Sequence, residues 1–167
     1  MRVAGCDYSR AGAYFVTICT QGKACVLGTV RGDGVVLTEI GWAVREVWVG
    51  LSGRFAGMEL DEFVVMPNHL HGVVGFVGAG FTPPGVRTTR GMAAEQDRRA
   101  SLSEVVCAFK SVSTREARAR GYVGVLWQRG YYDHIVRDGE DMRNVRNYIA
   151  ENPVRWGVKA RGAVANG

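Results

Sequence analysis

The segment Phe63-Val64-Val65-Met66-Pro67-Asn68-His69-Leu70-His71-Gly72-Val73-Val74 constrains this chain more than any other. Residues suited to strands lie on both sides of Pro67-Asn68. Strands are therefore expected from about Glu59 to Met66 and from His69 to Val77, with a turn between them. Along a strand, residues i and i+2 share a face. His69 and His71 therefore point the same way, and Leu70 points to the other side. Two neutral imidazoles on one rigid strand make two-thirds of a facial metal site. The competing reading is a pair of surface or core histidines with no ligand.

Further elements follow from the same kind of pattern. Ala13-Tyr14-Phe15-Val16-Thr17-Ile18-Cys19-Thr20 reads as a buried strand. Cys25 to Val30 and Gly34 to Leu37 read as short extended pieces around a Gly-rich turn. Ile40, Val44, Val47 and Leu51 recur at helical spacing, with Thr38 available as a cap. Residues 78–100 read as a flexible basic surface loop. Ser101 and Glu104 form a capping box that opens a helix with Leu102, Val105, Val106, Phe109 and Val112 on its apolar face. A strand is expected around Val123 to Gln128, with Tyr131 to Val136 extended. Asp138 caps a last helix whose stripe is Met142, Val145 and Ile149. Asn152-Pro153 is expected to end it, leaving a frayed tail over 158–167. This order suggests an α+β domain with an antiparallel or mixed sheet covered by helices. A ferredoxin-like arrangement is one economical solution.

A chain of 167 residues, 47% apolar, fits a single globular domain. It contains no run of about 18 apolar residues, so no membrane-spanning helix is expected. Met1 to Cys6 shows no signal-peptide core, and the four cysteines (Cys6, Cys19, Cys25, Cys107) form no CxxC pair. Reduced cysteines and a cytoplasmic location are the expectation. Of the 21 basic residues, all but Lys23, Lys110 and Lys159 are arginine, against 16 acids. An arginine-rich surface suits bidentate phosphate contacts.

The last helix carries a second pair. Tyr148 and Asn152 are four residues apart, hence on one helix face, and both lie off the apolar stripe. An amide oxygen is a legitimate hard ligand for magnesium or manganese. A tyrosine one turn away could serve as a nucleophile forming a covalent intermediate. Packing and an ordinary helix terminus are the alternatives. Spacing alone cannot join this helix to the histidines.

Several motifs together resemble a known family. Val65-Met66-Pro67-Asn68-His69-Leu70-His71 looks like the HUH motif (histidine, hydrophobic, histidine) of single-tyrosine transposases. Leu126-Trp127-Gln128-Arg129-Gly130-Tyr131-Tyr132-Asp133-His134-Ile135-Val136-Arg137 resembles the branch called REP-associated tyrosine transposases. So does Val145-Arg146-Asn147-Tyr148-Ile149-Ala150-Glu151-Asn152-Pro153-Val154. Tyr14 to Thr20 and Phe109-Lys110-Ser111 also fit, and the likeness spans roughly residues 8 to 157.

The resemblance implies a ferredoxin-like HUH nuclease fold, with an antiparallel sheet and helices on one face. It implies cleavage of single-stranded DNA, or of single strands beside hairpins, through a 5′-phosphotyrosine, followed by rejoining to another end. Tyr148 matches the nucleophile, and His69 and His71 match the histidine ligands of a divalent metal, magnesium or manganese. Asn152 matches the third ligand position, where related insertion-sequence transposases use Gln. Asn is one methylene shorter, so the helix must approach more closely. The resemblance also implies a bacterial, nucleoid-associated protein, monomer or homodimer, with no small-molecule substrate.

Candidate DNA contacts are Lys110, Arg115, Trp127, Arg129, Tyr131, Tyr132, His134, Arg137 and Arg146, since aromatics among arginines suit base stacking beside a phosphate track. Trp127 and one tyrosine could equally be core, and His134 a polar core group. The competing function is a non-catalytic DNA- or RNA-binding module on the same fold. A histidine-triad hydrolase would need a third alternating histidine where Val73 stands.

Overall fold

A computed structural model describes residues 12–76 and 100–164, with side chains described as far as residue 158. The expected surface loop over 78–100 lies almost wholly outside the described residues. The elements are β1 (Gly12–Cys19), a 3-10 turn at Gln21–Lys23, β2 (Gly28–Arg31), β3 (Gly34–Leu37) and α1 (Glu39–Val49), then β4 (Met58–Met66), β5 (His69–Phe76), α2 (Leu102–Ala119), β6 (Tyr132–Val136) and α3 (Gly139–Val164).

Four strands form one sheet in the order β4-β5-β1-β6, and every neighbouring pair is antiparallel. With the separate β2–β3 hairpin set aside, the order β-α-β-β-α-β and this sheet order are the ferredoxin-like arrangement. The α+β class and the antiparallel sheet are as the sequence led us to expect.

The two faces of the sheet are built differently. Tyr14, Val16, Ile18, Leu70 and Val74 pack with Trp48 of α1 and with Leu102, Val105, Val106 and Phe109 of α2. Ala13, Phe15 and Val73 point the other way and pack under Met142, Val145 and Ile149 of α3. The helices therefore occupy both faces rather than one. The expected stripe of α3 is apolar on a single side, and the face of the sheet left by α1 and α2 is what it covers.

Helix starts follow local chemistry. The Thr38 hydroxyl accepts from the Gly41 N–H, and Ser101 with Glu104 completes the capping box. The Asp138 carboxylate accepts from the N–H groups of Glu140 and Asp141.

Two local expectations fail. Residues 123–128 do not form a strand: pairing is limited to one bridge, Thr20 to Trp127. Positive φ at Gly124, inside the segment, and at Gly130, just beyond it, breaks the extended run, and Val123 is left 91% exposed. Nor does α3 end at Asn152-Pro153, because Pro153 lies inside a helix that runs to Val164. Interior proline costs a helix about 3 kcal/mol. Packing offsets this cost: Pro153 is buried, α3 contacts β2 and β3, and Trp156 and Gly157 border a cleft against Gly28 to Val30.

Gly72 lies on the α1 side of the sheet, directly against Trp48. A methyl group there would run into the Trp48 ring, which is fully buried. Gly72→Ala is therefore expected to destabilise the fold by about 1–3 kcal/mol, measured as a lower urea midpoint at unchanged slope. An unchanged midpoint would mean that Trp48 has room to move.

Candidate active site

The histidines owe their placement to register. β5 lies between β4 and β1, with His69 opposite Cys19 and His71 opposite Thr17. Residues paired directly across strands share a face. His69 and His71 thus project with Phe15 and Thr17 onto the α3 side. Their Nε2 atoms converge to 3.0 Å. Their Nδ1 atoms are engaged elsewhere, His69 with Asn68 Oδ1 at 2.6 Å and His71 with Thr17 Oγ1 at 2.8 Å.

Burial keeps both rings neutral. Desolvation lowers the His69 pKa to about 4, against an opposing hydrogen bond from Asn152. Desolvation, with the neighbouring His69, lowers the His71 pKa to about 3. A neutral imidazole is the form that ligates a metal.

α3 supplies the rest from one face. Asn152 is buried, lines the same cleft as His69, and its amide acts on the His69 ring to raise its pKa. One turn earlier, Tyr148 packs edge-on against Phe15 and His71, with ring centroids 5.9 Å and 5.2 Å away. Its ring remains 40% exposed. The Arg155 guanidinium carbon lies 5.9 Å from the Tyr148 ring centroid, and the Trp156 ring lies 5.7 Å from that of His69. His69, Tyr148, Asn152, Arg155 and Trp156 line an open cleft of about 550 Å³. All four residues singled out from the sequence (His69, His71, Tyr148, Asn152) therefore meet, within one chain.

Two imidazole nitrogens and an amide oxygen suit a divalent ion that accepts mixed nitrogen and oxygen donors. Among the described residues no cluster of three His, Cys, Asp or Glu side chains offers an alternative metal site. Asn152, buried in the cleft that His69 lines, offers a third, oxygen donor, and these residue types fit the magnesium or manganese the motifs imply.

The nine candidate DNA contacts divide. Trp127 is core: it is buried beside Phe109 and its indole N–H donates to Ser113 Oγ at 2.9 Å. Lys110 Nζ donates to the Gln128 carbonyl at 2.8 Å and to that of Gly130, pinning the loop before β6. Tyr131 and Ser103 share a hydroxyl hydrogen bond of 3.1 Å. His134 bonds Asp141 at 2.9 Å, tying β6 to the start of α3. Arg146 makes a two-pronged pair with Asp61, at 2.8 Å and 2.5 Å. Asp61 is aimed at α3 by a register shift between Leu60 and Phe63 in β4, and the guanidinium holds its carboxyl below the usual range.

Arg115, Arg129 and Arg137 are exposed. Tyr132, 54% exposed, stands opposite Thr17 on the histidine face, and with Arg129 it borders a second open cleft. Lys110 and Arg115 line a separate groove with Arg118. Sequence reasoning missed Thr17, Asn68 and Phe15 as site neighbours. Asn68 adjoins the HUH motif and could have been found; Thr17 and Phe15 depend on strand register.

This sheet, with α3 laid over the paired histidines, is a fold found in a solved tyrosine transposase. The structure of a REP-associated tyrosine transposase bound to a REP hairpin superposes with a TM-score of 0.63 at 21% identity, covering 94% of this chain and 75% of that one. The likeness that the motifs carried thus holds for the fold. A crystal structure from Deinococcus radiodurans aligns at 20% identity over 89% of this chain and 95% of its own, with a TM-score of 0.48, too weak a likeness to inform the site. No protein-family profile matches the chain. An uncharacterized protein of Haemophilus influenzae (strain ATCC 51907 / DSM 11121 / KW20 / Rd) is 32% identical over 160 residues, 93% of this chain and 88% of its own length. The chain belongs to the same family as that protein.

Burial of the histidines sets a pH dependence. The unfolded chain binds protons at the ordinary histidine value of 6.5, whereas the folded chain resists them down to about 3 at His71. The unfolded state therefore binds more protons in that window, and stability falls as pH drops below 6.5. The expected slope in the metal-free protein is about 1.4 kcal/mol per pH unit for each such ring. Denaturant titrations at several pH values check this, and His71→Gln should lessen the slope, leaving the part due to His69; a flat native profile would contradict it.

Proposed function

We propose that this chain is a metal-dependent single-stranded DNA endonuclease and strand transferase, a tyrosine transposase acting through Tyr148. The observation that carries this reading is the convergence of Tyr148 and Asn152 of α3 on the His69–His71 pair, within one chain. The motif likeness and the shared fold support it.

In this reading the substrate strand lies in the open cleft, and the Tyr148 hydroxyl oxygen attacks a backbone phosphorus in line with the bond to the 3′ oxygen. A P–O bond to tyrosine forms as the P–O3′ bond breaks. The phenolic proton passes to water in the exposed cleft, and the departing 3′ oxygen takes up a proton. The product is a 5′-phosphotyrosine and a free 3′-hydroxyl, which preserves bond energy for rejoining when another 3′-hydroxyl attacks the adduct. His69, His71 and Asn152 would hold a magnesium or manganese ion, whose chemistry is Lewis-acid polarisation of the phosphate. Phe15 and His71 fix the Tyr148 ring edge-on, which limits its motion toward a single approach.

The substrate class is single-stranded or hairpin-flanked DNA, as the hairpin bound by the solved relative suggests. Arg129 and Tyr132 border a cleft on the histidine face, suited to a phosphate and a stacked base. Arg115 and Arg137 are exposed and positioned for phosphates more remote from the site. Such a protein would work at the nucleoid in the cytoplasm. Among the described residues no helix is long and apolar enough to cross a membrane.

Incubation with labelled hairpin-flanked single strands and magnesium or manganese should give a denaturant-resistant adduct. Tyr148→Phe should abolish it, and His69→Ala should remove metal-dependent cleavage. An adduct that survives Tyr148→Phe would refute the nucleophile. Retained DNA binding by a native protein that never forms an adduct would favour a non-catalytic binding module.

Because one chain supplies the whole site, mixing Tyr148→Phe with His69→Ala protein should restore no cleavage. Restored activity would show that the tyrosine helix serves a partner's histidines.

A further inference from the structure

We propose that Asn68 and Thr17 are positioning residues that set the tautomers of His69 and His71, so that both Nε2 lone pairs can face one cation. The inference rests on the metal-site reading above. It begins at Lys23, whose carbonyl accepts from Asn68 Nδ2 at 3.1 Å. A carbonyl only accepts, so the nitrogen end of the Asn68 amide is fixed there and its oxygen end must face His69. That oxygen lies 2.6 Å from His69 Nδ1. An amide oxygen also only accepts, so Nδ1 carries the proton. A neutral imidazole has one N–H proton, which leaves the His69 Nε2 lone pair directed into the cleft.

His71 is controlled differently. Its Nε2 lies 3.0 Å from the unprotonated Nε2 of His69. In the chain without a bound ion, His71 Nε2 must then carry the proton and donate. Its Nδ1 consequently accepts from the Thr17 hydroxyl at 2.8 Å. A hydroxyl both donates and accepts. To offer its Nε2 lone pair to a cation, the His71 ring would lose the Nε2 proton and gain one at Nδ1, exchanged through solvent, with no change in charge. Thr17 then turns and accepts. Asn68 thus fixes one ligand in its binding form, while Thr17 allows the other to switch into it. Asn152 has both donors and an acceptor on its amide and suits either state.

Hydrogen-bond partners of ligand histidines commonly tune metal affinity by about 10–100-fold. Long-range proton–nitrogen NMR of the full-length, metal-free protein should read His69 as Nδ1–H and His71 as Nε2–H. Magnesium should convert His71 to Nδ1–H and leave His69 unchanged. Manganese affinity, followed by electron paramagnetic resonance, should fall about 10–100-fold in Asn68→Leu and in Thr17→Val. Asn68→Asp and Thr17→Ser, which keep the oxygen, should bind far more tightly than those variants. His69 read as Nε2–H, or a Thr17→Val protein that binds manganese like the native one, would overturn the proposal. Native protein with the expected tautomers that binds no ion would instead refute the proposed function and leave the tautomer assignment standing.

Discussion

The pairing of β5 between β4 and β1 is the constraint on which the remaining structure depends. Because side chains alternate along a strand, a slip of one residue would turn Leu70 outward and bury both histidines under α1 and α2. Three features resist that slip. Gly72 is the residue that accommodates the Trp48 ring, Leu70 and Val74 fill the core on that side, and Val73 meets α3 on the other. A strand buried on both faces leaves few alternative registers. The histidine pair is therefore held by the same packing as the core.

The same burial gives the site its electrostatic character. Removing water from His69 and His71 penalises the imidazolium forms, so the rings stay neutral well into acid. A neutral imidazole keeps one nitrogen lone pair, the form in which it can ligate a metal. The cost appears as stability lost in acid, where the unfolded chain takes up protons that the folded chain refuses. Tyr148, by contrast, stays accessible at the cleft rim while its ring rests on Phe15 and His71. The site therefore sets a buried histidine pair beside a tyrosine ring that stays open to solvent.

α3 is held against the sheet by more than its apolar stripe. His134 with Asp141 ties its first turn to β6, and Arg146 with Asp61 ties its middle to β4. These partly buried pairs fix the rotation of the helix about its axis, which decides whether Tyr148 and Asn152 face the histidines. Two residues that look like DNA contacts in the sequence are thereby occupied in holding α3. The helix also passes through Pro153, which places Arg155 and Trp156 beside Tyr148 and His69.

Local chemistry was legible in the sequence. Alternation placed both histidines on one face, four-residue spacing put Tyr148 and Asn152 together, and Thr38, Ser101 with Glu104, and Asp138 marked the helix starts, because each depends only on near neighbours. The motif likeness added the expectation that the two pairs meet. The tertiary structure decided the rest. It brought α3 onto the face opposite α1 and α2, carried it past Pro153, buried Trp127 against Ser113, engaged Arg146 with Asp61, and set Thr17 against His71. Each of these depends on packing between segments distant in the chain, whose energies outweigh the local preference of a proline for a helix end or of an arginine for solvent.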